Sequence, residues 1–140
     1  MSELLDQLPR RFSSAACLRD FPRSIGAEIV ERLSPRDPNV QELAFDSSAT
    51  EGEMEVIRRQ LESLFTPQMG FGAIRRVNYT DGVRIIFSNG EVAHLRPSGN
   101  ADEFRIYGVA DTQARANAIT KMGVAEPDGI LRRLERSVGL

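Results

Sequence analysis

The sequence contains few of the residues by which enzyme sites are usually recognised. It has one histidine, His94, which alone cannot make a histidine-based metal site or a Ser–His–Asp triad. It has one cysteine, Cys17, which excludes a disulfide within the chain and fits a reducing compartment. No CxxC, GxGxxG or GxxxxGK[ST] motif is present. Nearly all the familiar sequence signs of an enzyme are therefore missing.

Long apolar runs and a strong charge of one sign are also absent. No run of about 18 apolar residues exists, so no membrane span is expected, and the N-terminus lacks the basic-then-apolar order of a signal peptide. The 140 residues include 18 basic and 20 acidic side chains, a net charge of −2, which does not predict a nucleic-acid partner. The length predicts one domain of ordinary size. We expect a cytoplasmic protein with no membrane or nucleic-acid partner.

The apolar periodicity predicts an α+β fold, with the strands grouped together and helices outside them. Residues 10–19 are a candidate extended segment with poor alternation, and Pro22 suits the first turn of a helix. Residues 34–49 indicate a loop or insertion, and Thr50–Glu53 matches a capping box that begins a second helix. Two more helices are expected after residue 111. The apolar stripes that should face the core are Ile25, Ile29, Val30 and Leu33; Met54, Ile57, Leu61, Leu64 and Phe65; Ala114, Ala118, Ile119 and Met122; and Ile130, Leu131, Leu134 and Val138.

Between the second and third helices the period becomes that of strands. Four are predicted, at Ala73–Tyr79, Val83–Phe87, Glu91–Arg96 and Glu103–Val109. The pairs Asp81-Gly82 and Asn89-Gly90 are typical of two-residue type I′ hairpin loops. In that register Val83, Ile85 and Phe87 share a face with Val92, His94 and Arg96. Both sheet faces would then be partly apolar, so that helices cover both faces or another partner meets one of them.

The connection after Arg96 is longer than the two hairpin turns and differs in chemistry. In Pro97–Asp102, Ser98 and Asn100 offer side-chain donors, and Gly99 lets backbone N–H groups approach a ligand. Successive N–H groups in such a turn can form an anion-binding nest. Arg96 and Arg105 flank the turn, and their planar guanidinium groups suit phosphate. The segment is therefore a candidate phosphate cradle, although the same residues are also ordinary turn formers.

The stretch DGVRIIFSNGEVAHLRPSGNADEFRIYGVADTQARA, at residues 81–116, resembles the C-terminal domain of the α-D-phosphohexomutases. The motifs that carry the resemblance are DG-x-R, LRPSGN and F-R-x-Y, and a weaker likeness covers Ser2–Pro22. RPSGN, in place of RPSGT, is similar to the phosphomannomutase/phosphoglucomutase branch. The resemblance implies a TBP-like β-α-β4-α fold. It also implies that residues 1–8 leave a preceding domain and that residues 9–140 form the C-terminal phosphosugar-binding domain, with a helical insertion at about 35–70.

The same resemblance implies a function. Arg96, Ser98, Gly99 and Asn100 would bind the phosphate of a phosphosugar, with Arg105 in support. The family carries proline where this chain has Asp102, whose carboxylate would repel a phosphate unless it points away. The family's phosphoserine, metal and sugar-selecting loops are absent. The chain is therefore expected to bind without turnover, with no catalytic or metal-binding residue of its own; Mg²⁺ and the preceding domains belong to the whole enzyme.

Two alternatives remain at this point. A stand-alone regulatory module could use the same cradle to bind a phosphorylated metabolite. Nucleic-acid binding is suggested only by the TBP-like architecture, and the acidic balance argues against it. Among the other polar residues, His94 is expected to be structural or half-exposed, and Cys17 is expected to be a small buried or half-buried residue rather than a nucleophile.

Overall fold

The fold is a single antiparallel sheet with helices packed on it, seen in a computed structural model that describes residues 11–37, 39–45 and 52–139. These residues form β1 (Phe12–Arg19), α1 (Arg23–Arg32), β2 (Glu42–Ala44), α2 (Glu53–Leu64), β3 (Ile74–Asn78), β4 (Val83–Phe87), β5 (Val92–Pro97), β6 (Glu103–Ala110), α3 (Gln113–Val124) and α4 (Ile130–Gly139). A 3₁₀ turn, Pro67–Met69, precedes β3. The strand order is β1-β6-β5-β4-β3-β2. The α+β class is confirmed, and the arrangement is consistent with a TBP-like fold.

The first strand and the four-strand meander are confirmed, whereas β2 was not predicted. It lies inside the segment interpreted as a loop and pairs with β3 over three residues, with Leu43 opposite Val77. Leu43 is buried, and both of its neighbours in the strand are exposed. Three residues are too few for alternation to stand out in a sequence.

The start of α2 differs from the predicted capping box. Thr50 and Glu51 lie outside the described residues, as does the predicted exit segment at residues 1–8. The helix begins at Glu53 after Gly52, which makes no side-chain cap. The Glu53 carboxylate instead accepts a 2.6 Å hydrogen bond from the main-chain N–H of Arg36. The prediction was therefore wrong about the role of Glu53, which joins α2 to the segment that follows α1.

Both hairpins exist, but each is shifted by one residue from the predicted register. The structure pairs Asn78 with Arg84 and Ile85 with Ala93. Gly82 and Gly90 have φ of 72° and 88°, and neither Asp81 nor Asn89 has a positive φ. A type I′ loop needs positive φ at both central residues, whereas a three-residue loop needs it only at the last. The loops are therefore three residues long, and each ends on its glycine.

This one-residue shift exchanges the faces of β5. Ala93 and Leu95, rather than His94 and Arg96, share the face of Val83 and Ile85. That face is buried, and the described helices pack on it. The other face carries three cross-strand rows: Cys17, Arg105 and Arg96; then Ala15, Tyr107, His94, Arg84, Asn78 and Glu42; then Ser13, Val109, Val92, Ile86, Arg76 and Ala44. The predicted membership of the two faces was therefore wrong. One face is apolar, and the other bears arginines together with the apolar residues Val109, Val92 and Ile86, so both faces are partly apolar, as expected.

The core lies between the apolar sheet face and the helices. The predicted stripe of α2 is confirmed, since Ile57, Leu61 and Leu64 are buried. An aromatic cluster of Phe65, Phe71 and Phe87 joins the end of α2 to β4, with ring centroids 4.9 to 5.8 Å apart. No helix in the described part of the chain is long and apolar enough to cross a membrane.

Tyr79, which follows β3, carries a buried phenol oxygen that makes no hydrogen bond to any described residue. Burial, and to a lesser extent the charge of Glu53, raises the pKa of Tyr79. An unsatisfied buried hydroxyl costs about 1–3 kcal/mol. We therefore expect Tyr79→Phe to raise the free energy of unfolding by about 1 kcal/mol in urea denaturation followed by circular dichroism. A loss of stability would show instead that the hydroxyl has a partner.

Candidate functional site

Two arginines lie directly opposite each other where β5 and β6 approach the loop that joins them. The register pairs Arg96 of β5 with Arg105 of β6. Both side chains are about half exposed on the arginine-bearing sheet face. Like charges directly opposite in an antiparallel pair destabilise a sheet. This arrangement therefore destabilises the sheet and favours the binding of an anion.

The loop between these arginines closes a cleft of about 200 Å³. Its lining residues are Arg96, Pro97, Ser98, Gly99, Asn100 and Arg105. The structure thus brings together all five residues that the sequence analysis selected, around one small polar concavity.

Inside the loop, Ser98 organises the backbone. Its Oγ accepts hydrogen bonds from the main-chain N–H groups of Asn100, at 3.3 Å, and Ala101, at 3.2 Å. Its own N–H donates to the carbonyl oxygen of Glu103 at 3.1 Å, which closes the loop at its base. The N–H groups of Asn100 and Ala101 thus point at the Ser98 hydroxyl and do not form the predicted anion-binding nest. The Ser98 hydroxyl accepts both bonds, so its proton can be donated to a ligand.

Gly99 stands at the open tip of the loop. Its φ is not in the left-handed region, and a Cβ built on it would meet nothing within 4 Å. Neither backbone conformation nor packing within the described residues therefore requires glycine here. Its N–H and the side-chain amide of Asn100 make no hydrogen bond among the described residues. Both groups are available as donors to a ligand in the cleft.

Each arginine of the cleft has a carboxylate beside it. Oδ2 of Asp81 lies 3.3 Å from Nε of Arg96, and Oε2 of Glu103 lies 4.0 Å from Nη2 of Arg105. The neighbouring Tyr107 raises the pKa of Arg105, which stays charged. From the sequence, Asp81 is predicted only to form a turn. Its ion pair with Arg96 could be found only after the hairpin register was known.

Cys17 lies next to this pair on β1, opposite Arg105. Its Sγ donates a 3.2 Å hydrogen bond to Oε2 of Glu103. The side chain is exposed, so the prediction that it is buried or half-buried was wrong. Partial burial of the sulfur, followed by the Glu103 carboxylate, raises the pKa of Cys17. A thiol held protonated in this way is a poor nucleophile at neutral pH.

Asp102, at the exit of the loop, points away from the cleft. Its Oδ1 accepts hydrogen bonds from the main-chain N–H and the Nε of Arg23, at 3.2 and 3.3 Å. Arg23 is the first residue of α1, so the carboxylate lies at a helix N-terminus, where negative charge is favourable. The Asp102 carbonyl oxygen accepts from the N–H of Phe21 at 3.0 Å. A phosphate in the cleft would therefore not face the Asp102 carboxylate.

His94 lies one row further along the same sheet face. It is half-buried, its ring centroid is 5.7 Å from that of Tyr107, and its Nε2 is hydrogen-bonded to the carbonyl oxygen of Asp81. The expectation of a structural histidine agrees with these contacts. A larger groove, of about 860 Å³, lies elsewhere, between α1 and α2. It mixes acidic and basic side chains and contains none of the predicted site residues.

Comparison with known proteins gives the chain two relatives. It is 35% identical over 117 residues, 83% of its length, to a phosphomannomutase from Salmonella muenchen. It is 39% identical over 54 residues, 39% of its length, to a phosphomannomutase from Sinorhizobium fredii. No family model matches the chain. Most of the chain is thus a phosphomannomutase-related region.

The match covers only a small part of each relative. The chain spans 20% of the length of the Salmonella protein, and the match to the Sinorhizobium protein spans 11% of that protein.

Proposed function

We propose that this phosphomannomutase-related chain is the C-terminal, phosphate-clamping domain of a phosphomannomutase/phosphoglucomutase. The observation that carries the proposal is the cross-strand pair Arg96–Arg105 at the mouth of the Ser98–Asn100 loop. A phosphate placed between the two guanidinium groups would remove their mutual repulsion. Each charge-assisted hydrogen bond would contribute about 1.5–3 kcal/mol.

The donors of the cleft fit a phosphate better than a metal ion. They are guanidinium, hydroxyl, amide and backbone N–H groups, and a cation needs oxygen, nitrogen or sulfur acceptors. No group of three or more His, Cys, Asp or Glu side chains that could hold a metal occurs among the described residues. The Mg²⁺ that the family uses does not fit this cleft. In the proposed enzyme the other domains would hold it, and this domain would orient the substrate by its phosphate.

In that enzyme the domain would close over a hexose phosphate and clamp it. Such closure excludes water from phosphoryl transfer. The chain alone lacks the sugar-reading and phosphoserine loops, so the binding energy available to it is that of the phosphate contacts. We expect a dissociation constant on the order of millimolar, which corresponds to about 4 kcal/mol.

The test is a titration of the ¹⁵N-labelled chain with inorganic phosphate, mannose 1-phosphate and mannose, followed by amide NMR. Both phosphate compounds should shift the signals of Ser98–Asn100 and Arg105, and mannose should not. The matched variant is Gly99→Ala. Since nothing lies within 4 Å of the new methyl group, stability should be unchanged, while the methyl group hinders phosphate at the loop tip and weakens binding.

Two results would count against the proposal. The first is the absence of any response to phosphate at tens of millimolar, a range in which a site of millimolar affinity is filled. The second is an equal response to mannose and its phosphate, because the cleft would then recognise something other than the phosphate group.

A further inference from the structure

The β3–β4 turn contacts the strand that carries Arg96 at three points. The Asp81 carboxylate lies 3.3 Å from Nε of Arg96. The Asp81 carbonyl oxygen is hydrogen-bonded to Nε2 of His94. Gly82 lies so close to β5 that a Cβ on it would be 2.3 Å from the Leu95 carbonyl oxygen. The Asp81 carboxylate is thus held in place by a turn that is itself fixed to β5.

The contact leaves the phosphate-binding edge of Arg96 free. The ion pair joins the Asp81 carboxylate to Nε, and no nitrogen of the Arg96 side chain makes a hydrogen bond to any described residue. The two Nη atoms form a planar fork that matches two oxygens of a phosphate. Arginine has several rotatable bonds, and fixing them costs conformational entropy. A carboxylate beside Nε lowers that cost before the ligand arrives, because it attracts the guanidinium to one side.

We infer that Asp81 is a positioning residue for phosphate binding, which orients the guanidinium of Arg96 toward the cleft. The inference rests on the proposed function and extends it to a residue outside the loop. It makes a prediction opposite in sign to simple electrostatics. A carboxylate near an anion site repels the anion, so charge alone predicts tighter binding when Asp81 is removed. Loss of positioning predicts weaker binding.

The experiment compares two substitutions at Asp81 by phosphate titration of the full 140-residue chain. Asp81→Ala should raise the dissociation constant about fivefold, the upper size of an exposed ion-pair effect. Asp81→Asn keeps an oxygen of the same reach beside Nε and removes the charge that repels phosphate, so its dissociation constant should lie below that of Asp81→Ala. The control is Asp128→Ala, since Asp128 forms a similarly exposed pair with Arg136 at 2.9 Å. It should bind phosphate like the wild type.

A second readout reports on positioning without ligand. The ¹⁵Nε signal of Arg96 should report a more restricted side chain in the wild type than in Asp81→Ala when measured by ¹⁵N relaxation. If the wild type binds phosphate and Asp81→Ala binds it equally or more tightly, this inference is overturned and the proposed function is not. No phosphate binding by the wild type would overturn the proposed function, and this inference with it.

Discussion

Replacing Arg96 with alanine is expected to abolish measurable phosphate binding by the chain. The Arg96 fork would make the only bidentate contact from β5, and a hydrogen bond to a charged group contributes about 1.5–3 kcal/mol. Its loss raises a dissociation constant by roughly ten- to hundredfold, at about 1.4 kcal/mol for each factor of ten. From a millimolar start, the amide shifts of Ser98–Asn100 should disappear over the accessible range of phosphate concentration.

The control is Arg136→Ala on α4. Arg96 and Arg136 are each 50% exposed, and each pairs with one aspartate. Arg136→Ala should therefore bind phosphate like the wild type. A stability measurement further distinguishes the two variants, because removing Arg96 also removes its repulsion with Arg105. The free energy of unfolding of Arg96→Ala should differ from that of the wild type by less than about 1 kcal/mol. Phosphate binding that survives in Arg96→Ala would show that the anion lies elsewhere.

Replacing Gly82 with alanine is expected to cause the largest loss of stability, about 2–3 kcal/mol. Two costs combine at this position. The φ of 72° is in the region that residues with a Cβ rarely adopt. The added Cβ would also lie 2.3 Å from the carbonyl oxygen of Leu95, an atom of the sheet backbone that cannot rotate away. Thermal and urea denaturation followed by circular dichroism measure the loss.

The sister hairpin supplies the control. Gly90 has a φ of 88°, and the nearest atom to a Cβ there is Nη1 of Arg11, at an ordinary contact distance of 3.5 Å. Gly90→Ala therefore carries the backbone strain without the collision, and should cost about 1 kcal/mol. Equal losses for the two variants would mean that the turn can shift away from β5. In that case the carboxylate of Asp81 would not be held beside Arg96.

Much of the architecture could be predicted because it depends on local chemistry. The alternation in β4 and the helical spacing of Ile57, Leu61 and Leu64 each reflect one element facing one core. The loop of the site could be selected because Arg96, Ser98 and Gly99 adjoin in sequence, so no long-range information was needed.

The errors come from choices that local chemistry leaves open. Asp81-Gly82 suits a two-residue loop and also a three-residue loop that ends on glycine, and the packing of Ala93 and Leu95 into the core selects the second. From the sequence, the Asp102 carboxylate is unfavourable near a phosphate. Its partner, the N-terminus of α1, lies 79 positions away in the chain, and only the tertiary structure brings the two together. Asp81 was missed for the same reason, since only the tertiary structure brings it to Arg96.

The pairing of β1 with β6 has a consequence for the length of the chain between them. Cys17 and Glu103, 86 positions apart, meet across these two strands, beside Arg105. The entropy lost in closing such a long loop grows only with the logarithm of its length, and doubling it costs about 0.6 kcal/mol. Insertions between α1 and β2 should therefore have little effect on the strand pair that supports Arg105, whereas β2 is constrained by its pairing with β3 and by buried Leu43. A change of length there should cost the candidate site little stability.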